Sequence, residues 1–147
     1  MQVITIDGIE ALRGLFKYHA PGPNRLAMAY IGILWLPFET CRFQINVEAM
    51  ELGTTGMREA IVMSLNRENS PQFEQSGNPL VIENEEQLNA VYEAVLKKPP
   101  RHLPSDDVKY DAGFPDHPLS QVRARLDKIV ESLKFDGGVK ALTPFRV

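Results

Sequence analysis

The sequence predicts an α+β protein, a single domain over residues 1–147. Its expected core is ferredoxin-like βαββαβ, a small antiparallel sheet packed by helices, with a C-terminal helical extension. Three observations lead there. A chain of 147 residues with 44% hydrophobic content is long enough to bury one core. Apolar positions repeat every second residue in some stretches and every third or fourth in others. Proline- and glycine-rich breaks separate these stretches in the order strand, helix, strand, strand, helix, strand, followed by two further helices.

Residues 2–6 (QVITI) are β-branched and apolar, as a strand requires. Asp7 followed by Glu10 has the spacing of a capping box, and Ile9, Leu12, Leu15 and Phe16 then share a helical face through Tyr18. The run HAPGPN (residues 19–24) ends that helix in a loop. Residues 26–36 (LAMAYIGILWL) fit a buried strand or a buried helix. The closing Pro37 and the cleaner strand that follows favour the strand. In that next strand Cys41, Phe43, Ile45 and Val47 alternate with Arg42, Gln44, Asn46 and Glu48, giving a hairpin with its bend near residues 36–39.

Gly53-Thr-Thr-Gly56 supplies turn and cap residues for a helix carrying Met57, Ile61, Val62 and Leu65 to about Arg67. Residues 68–78 are polar and loop-like, and residues 79–83 form a short strand. Asn84 with Gln87 opens a helix along Leu88, Val91, Tyr92, Val95 and Leu96, which Pro99-Pro100 stops. Residues 99–117 make a long irregular connection, a length usually reserved for functional or mobile segments. Pro118 suits the first turn of a helix with Val122, Leu126, Ile129, Val130 and Leu133. Gly137-Gly138 ends it, and residues 139–147 read as an edge strand containing Pro144.

Composition narrows the functional classes. With a net charge of −3, a basic surface for double-stranded nucleic acid is not the expectation. A lone Cys41 forms no intrachain disulfide, and the start MQVITIDGIE lacks a basic leader, so a cytoplasmic location is expected. The longest apolar run, residues 26–38, is broken by Gly32 and Pro37. It falls short of the roughly twenty residues of a membrane span.

The chemistry-bearing residues form no complete catalytic or metal set. Cys41 lies on the apolar face of its predicted strand and reads as a small buried hydrophobe, and no G-x-S-x-G elbow is present. His19, His102 and His117 have no metal-ligand spacing, so neither a metal nor a cofactor is expected. Asp106, Asp107, Asp111 and Asp116 share the long loop with His102 and His117, which supports a small hydrolytic enzyme as one alternative. The amides of residues 53–56, before a helix, offer a weak anion site.

The leading expectation is a non-enzymatic binding or inhibitory protein, by analogy with immunity proteins and phage-encoded inhibitors. It would dock on a protein partner through Trp35 and Phe38 at the hairpin bend, with Asp106, Asp107 and Asp111 meeting a basic partner surface. Association into a homo-oligomer is compatible with the same surface. The other alternative is sequestration of a small molecule or cyclic nucleotide by Tyr18, His19 and Arg25, an aromatic, a histidine and a cation set close together. The run FKYHAP (residues 16–21) resembles the opening motif of phage helical-hairpin proteins that sequester cyclic nucleotide immune signals. MREAIVMSLN (residues 57–66) resembles their second helix. The likeness covers about sixteen positions and implies a ligand role for Tyr18 and His19. The strand-like CRFQINV and Pro37 depart from that family's charged first helix, and residues 70–147 have no counterpart in it.

Overall fold

Asp7-Gly8 decides the topology. Both residues have positive φ, 47° and 87°, and Ile6 pairs directly with Ile9 across them. This is a two-residue hairpin turn of the primed type, whose twist matches that of the flanking strands. In the computed structural model, which describes residues 1–21, 26–66, 84–97, 100 and 102–145, strand β1 (Gln2–Ile6) therefore returns at once as β2 (Ile9–His19). The helix expected from Asp7 to Tyr18 is thus a strand. Its apparent helical stripe, Ile9, Leu12, Leu15 and Phe16, combines residues from both faces of a strand that is apolar on each.

β3 (Met28–Pro37) and β4 (Arg42–Met50) follow as the predicted hairpin, and its bend is closed by Phe38 N–H donating to the Cys41 carbonyl. The four strands form an antiparallel meander in the order β1-β2-β3-β4. The α+β class therefore stands. The ferredoxin-like βαββαβ order does not, because no helix separates the first two strands. Nor can residues 16–21 form a helical hairpin with residues 57–66, since Phe16 to His19 belong to β2.

Helix α1 (Met57–Leu65) follows the sheet, and α2 (Glu85–Leu96) opens where Asn84 accepts the Gln87 amide. The loop expected over 68–78 and the strand expected over 79–83 lie outside the described residues. Two short 3-10 turns, Pro104–Asp106 and Val108–Gly113, organise the long connection before α3 (Pro118–Ser132). Gly137-Gly138 do not end α3. They begin a last helical turn, α4 (Gly137–Lys140), and the expected terminal strand reduces to one bridge between Pro144 and Phe38. No described helix is long and apolar enough to cross a membrane.

Helix α3 lies across β3 and β4 and closes the core. Tyr30, Leu34 and Leu36 on one face of β3 meet Leu119, Val122 and Leu126, all at most 2% exposed. The close approach depends on Gly32. A Cβ there would stand 2.3 Å from Leu126 Cδ1 and 2.8 Å from Val122 Cγ1. Gly32→Ala should therefore destabilise the protein by about 1–3 kcal/mol, read as a lowered urea midpoint.

The first turn also anchors the C-terminal segment. Asp7 accepts Phe135 N–H at 3.0 Å and pairs with Lys140 at 2.9 Å and Lys134 at 3.4 Å. The Lys140 ammonium first, then the Phe135 amide, hold its carboxyl down at about 2 against the usual 3.8. A depressed folded-state value means that this contribution is fully present above about pH 4 and lost as pH falls toward 2. An acid titration of stability should show this loss, and Asp7→Asn should remove that part of the pH dependence.

Candidate functional site

The long connection is held by a buried guanidinium. Arg58, on the inward face of α1, is 1% exposed. Its Nε donates to the Ser105 carbonyl at 2.7 Å, Nη1 to Ser120 Oγ at 2.7 Å, and Nη2 to the Asp107 carbonyl at 3.1 Å and to Asp111 Oδ1 at 2.9 Å. Arg123 of α3 approaches the same Asp111 at 2.9 and 3.1 Å and donates to the Asp106 carbonyl. Lys17 of β2 reaches Asp106 Oδ2 at 2.6 Å, and that oxygen also takes the Leu103 amide at 2.8 Å. A planar five-donor fork suits such a junction, where several acceptors must be met in fixed directions.

These contacts redirect the residues expected to meet a basic partner. Asp106 is paired within the molecule with Lys17, and Asp111 with Arg58 and Arg123. Asp107 stays exposed, its carboxylate capping the Lys109 amide at 3.0 Å. The apolar pair at the bend divides as well. Phe38 is 5% exposed, belongs to the core and meets the exposed Phe43 edge-on. Trp35 is half-buried on the opposite sheet face.

The nucleotide set does not assemble as expected. Tyr18 and His19 are consecutive in a strand and point to opposite faces, so they cannot hold one ligand together. Arg25 lies outside the described residues. Cys41 precedes β4 and is exposed, which corrects its expected burial. His102 is also exposed, whereas His117 caps α3 and faces a glutamate in place of a loop aspartate.

That glutamate, Glu51, follows β4 and organises a second cluster. Its Oε2 accepts the Met28 amide at 2.9 Å and its Oε1 the Gly56 amide at 3.4 Å. Of the amides expected to bind an external anion around residues 53–56, that of Gly56 is thus turned onto an internal carboxylate. His117 Nε2 lies 3.4 Å from Glu51 Oε1, an ion-pair distance without hydrogen-bond geometry. His117 Nδ1 accepts the Leu119 amide at 3.2 Å, so the ring proton sits on Nε2. Burial pushes the Glu51 carboxyl up. His117 together with the Met28 and Gly56 amides outweighs burial and holds it below the usual carboxylate range.

Glu59, from α1, completes a group of three. One ligand atom from each of Glu51, Glu59 and His117 lies within 4.8 Å of the others. Tyr30 is 1% exposed and meets the His117 ring edge-on at 5.5 Å between centroids. Burial, then the negative charges of Glu59 and Glu51, raises its hydroxyl pKa well above the usual range. A pocket of about 340 Å³ lined by Lys17, His19, Glu51 and Glu59 opens on this corner.

Six buried side-chain polar atoms among the described residues have no hydrogen-bond partner: His19 Nδ1, Tyr30 OH, Glu59 Oε2, Ser105 Oγ, Asp106 Oδ1 and His117 Nε2. All belong where β2, the start of β3, α1 and the 103–117 segment meet. Such a concentration calls for a specific cause. No spacing rule exposes this group, because Glu51 follows a strand, Glu59 lies on a helix, and His117 caps another helix far along the chain.

Arg58→Met should cost about 3–5 kcal/mol, because the acceptors around it stay buried without their donor. Arg58→Lys should recover little of the loss, since one ammonium cannot span four acceptors. Urea unfolding of both variants checks this. No family model matches the chain, and no curated protein or solved structure matches it either.

Proposed function

We propose that this is a binding protein that docks a protein partner on the open face of its sheet. The observation that carries this reading is the contrast between the two faces. One is covered by α3. The other carries Leu12, Phe16 and Tyr18 of β2 beside Ile31, Ile33 and Trp35 of β3, with Leu12 opposite Trp35 and Phe16 opposite Ile31. Phe16 is 44% exposed and Tyr18 38%. Among the described elements the substantial helix–sheet contacts are those of α3, which lies on the other side.

The layout supports docking. An apolar centre on β2 and β3 is edged along β4 by Gln44, Asn46 and Glu48, which pair with Trp35, Ile33 and Ile31. Protein interfaces share this plan of an apolar centre within a polar rim, and tryptophan and tyrosine are their most frequent anchors. A contiguous apolar sheet face of this kind marks an interaction site more often than a tolerated surface.

The test is native mass spectrometry of the protein recovered gently from its own cellular extract, beside a Phe16→Ser/Trp35→Ser variant. The expected result is added mass of protein size on the parent chain. The variant should lose it while keeping its circular dichroism spectrum and thermal midpoint to within a few degrees. A partner retained by the folded variant, or a bare chain in both samples, overturns the reading.

A further inference from the structure

On the α3 side of the sheet, away from the proposed docking face, we infer that Glu51, Glu59 and His117 form a site for a divalent cation of the Zn²⁺ type. Three independent features converge on it. The first is spacing. Glu51 Oε1 and His117 Nε2 stand 3.4 Å apart with no hydrogen bond between them. Two ligands of a four-coordinate zinc ion with bonds near 2.0–2.1 Å are separated by about 3.4 Å. Glu59 lies within 4.8 Å of both and has a free Oε2, so a rotation of its flexible side chain brings the third ligand in.

The second feature is the unpartnered hydroxyl of Tyr30, a residue 1% exposed whose ring meets that of His117 edge-on. An O–H at this place suits a donor to a metal-bound carboxylate, the usual second layer around such ions. The third is access. Glu51 and Glu59 both line the pocket of about 340 Å³, so a cation and a remaining water ligand have a route in. Two carboxylates and one imidazole are hard-to-borderline donors, and the set contains no thiolate.

Loading the site changes one bond of the fold. Nε2 can ligate only after its proton moves to Nδ1, and Nδ1 then stops accepting the Leu119 amide. Zinc binding at this site therefore has a signature at the first turn of α3 that binding elsewhere lacks.

The experiment is calorimetric titration of tag-free, chelator-treated full-length protein with zinc chloride, alongside Glu59→Gln and His117→Asn. Glutamine preserves the shape of Glu59, and asparagine keeps a favoured helix cap while removing the ring nitrogen. The expected outcome is one zinc per chain, with affinity reduced roughly ten- to a hundredfold or more in each variant. In the parent protein, amide exchange at Leu119 should speed up on zinc addition. No binding by the parent chain, or equal binding by all three proteins with an unchanged Leu119 amide, overturns the assignment.

Discussion

The junction of α1, the 103–117 segment and the start of α3 depends on burying Arg58. A guanidinium at 1% exposure is tolerated only when its donors are met, and here all the partners come from residues 105–120. Those bonds convert a proline-rich connection into two ordered 3-10 turns and seat α1 against the first turn of α3. Arg123 shares Asp111, and Lys17 ties Asp106 to β2, so the same network joins the connection to the sheet. His117 and Ser120 stand at the start of α3 because this junction fixes where α3 begins. The polar corner is thus a consequence of one buried cation.

The sheet has a different logic. Tyr30, Gly32, Leu34 and Leu36 alternate toward α3, and Gly32 lets the helix approach close enough to exclude water. Ile31, Ile33 and Trp35 alternate the other way. A strand that is apolar on both sides is expected when both sheet faces are covered. Among the described residues one face of β3 is covered by α3, and this asymmetry is the structural basis of the docking proposal.

How far the sequence revealed this outcome depended on whether the signal was local. The hairpin from Cys41 onward was legible because its alternation is clean, and α3 was legible because Pro118 and its apolar stripe agree. In β2 two local signals compete. Asp7 with Glu10 imitates a capping box, while Asp7-Gly8 between apolar runs is a hairpin turn, and the turn prevails because pairing along β1 and β3 satisfies the whole strand. The loop carboxylates were legible as a cluster but not as an internal one. Their partners, Arg58 and Lys17, lie 53 and 89 residues away from Asp111 and Asp106. Trp35 and Phe38 illustrate the same limit. They are three residues apart, and an odd spacing along an extended chain puts one on the open face and the other in the core.

Charge at the polar corner explains why a cation suits it better than an anion. Lys17, Arg58 and Arg123 face Asp106, Asp111, Glu51 and Glu59, three cations against four carboxylates. The cations are already committed: Lys17 to Asp106, and both arginines to Asp111 and to loop carbonyls. Glu51 accepts two backbone amides, and Glu59 Oε2 has no hydrogen bond. Of the 53–56 turn, which offered amides to an anion, the Gly56 amide is turned onto Glu51. What remains is acceptor capacity in a half-enclosed pocket, and acceptor capacity at that spacing is complementary to a small positive ion.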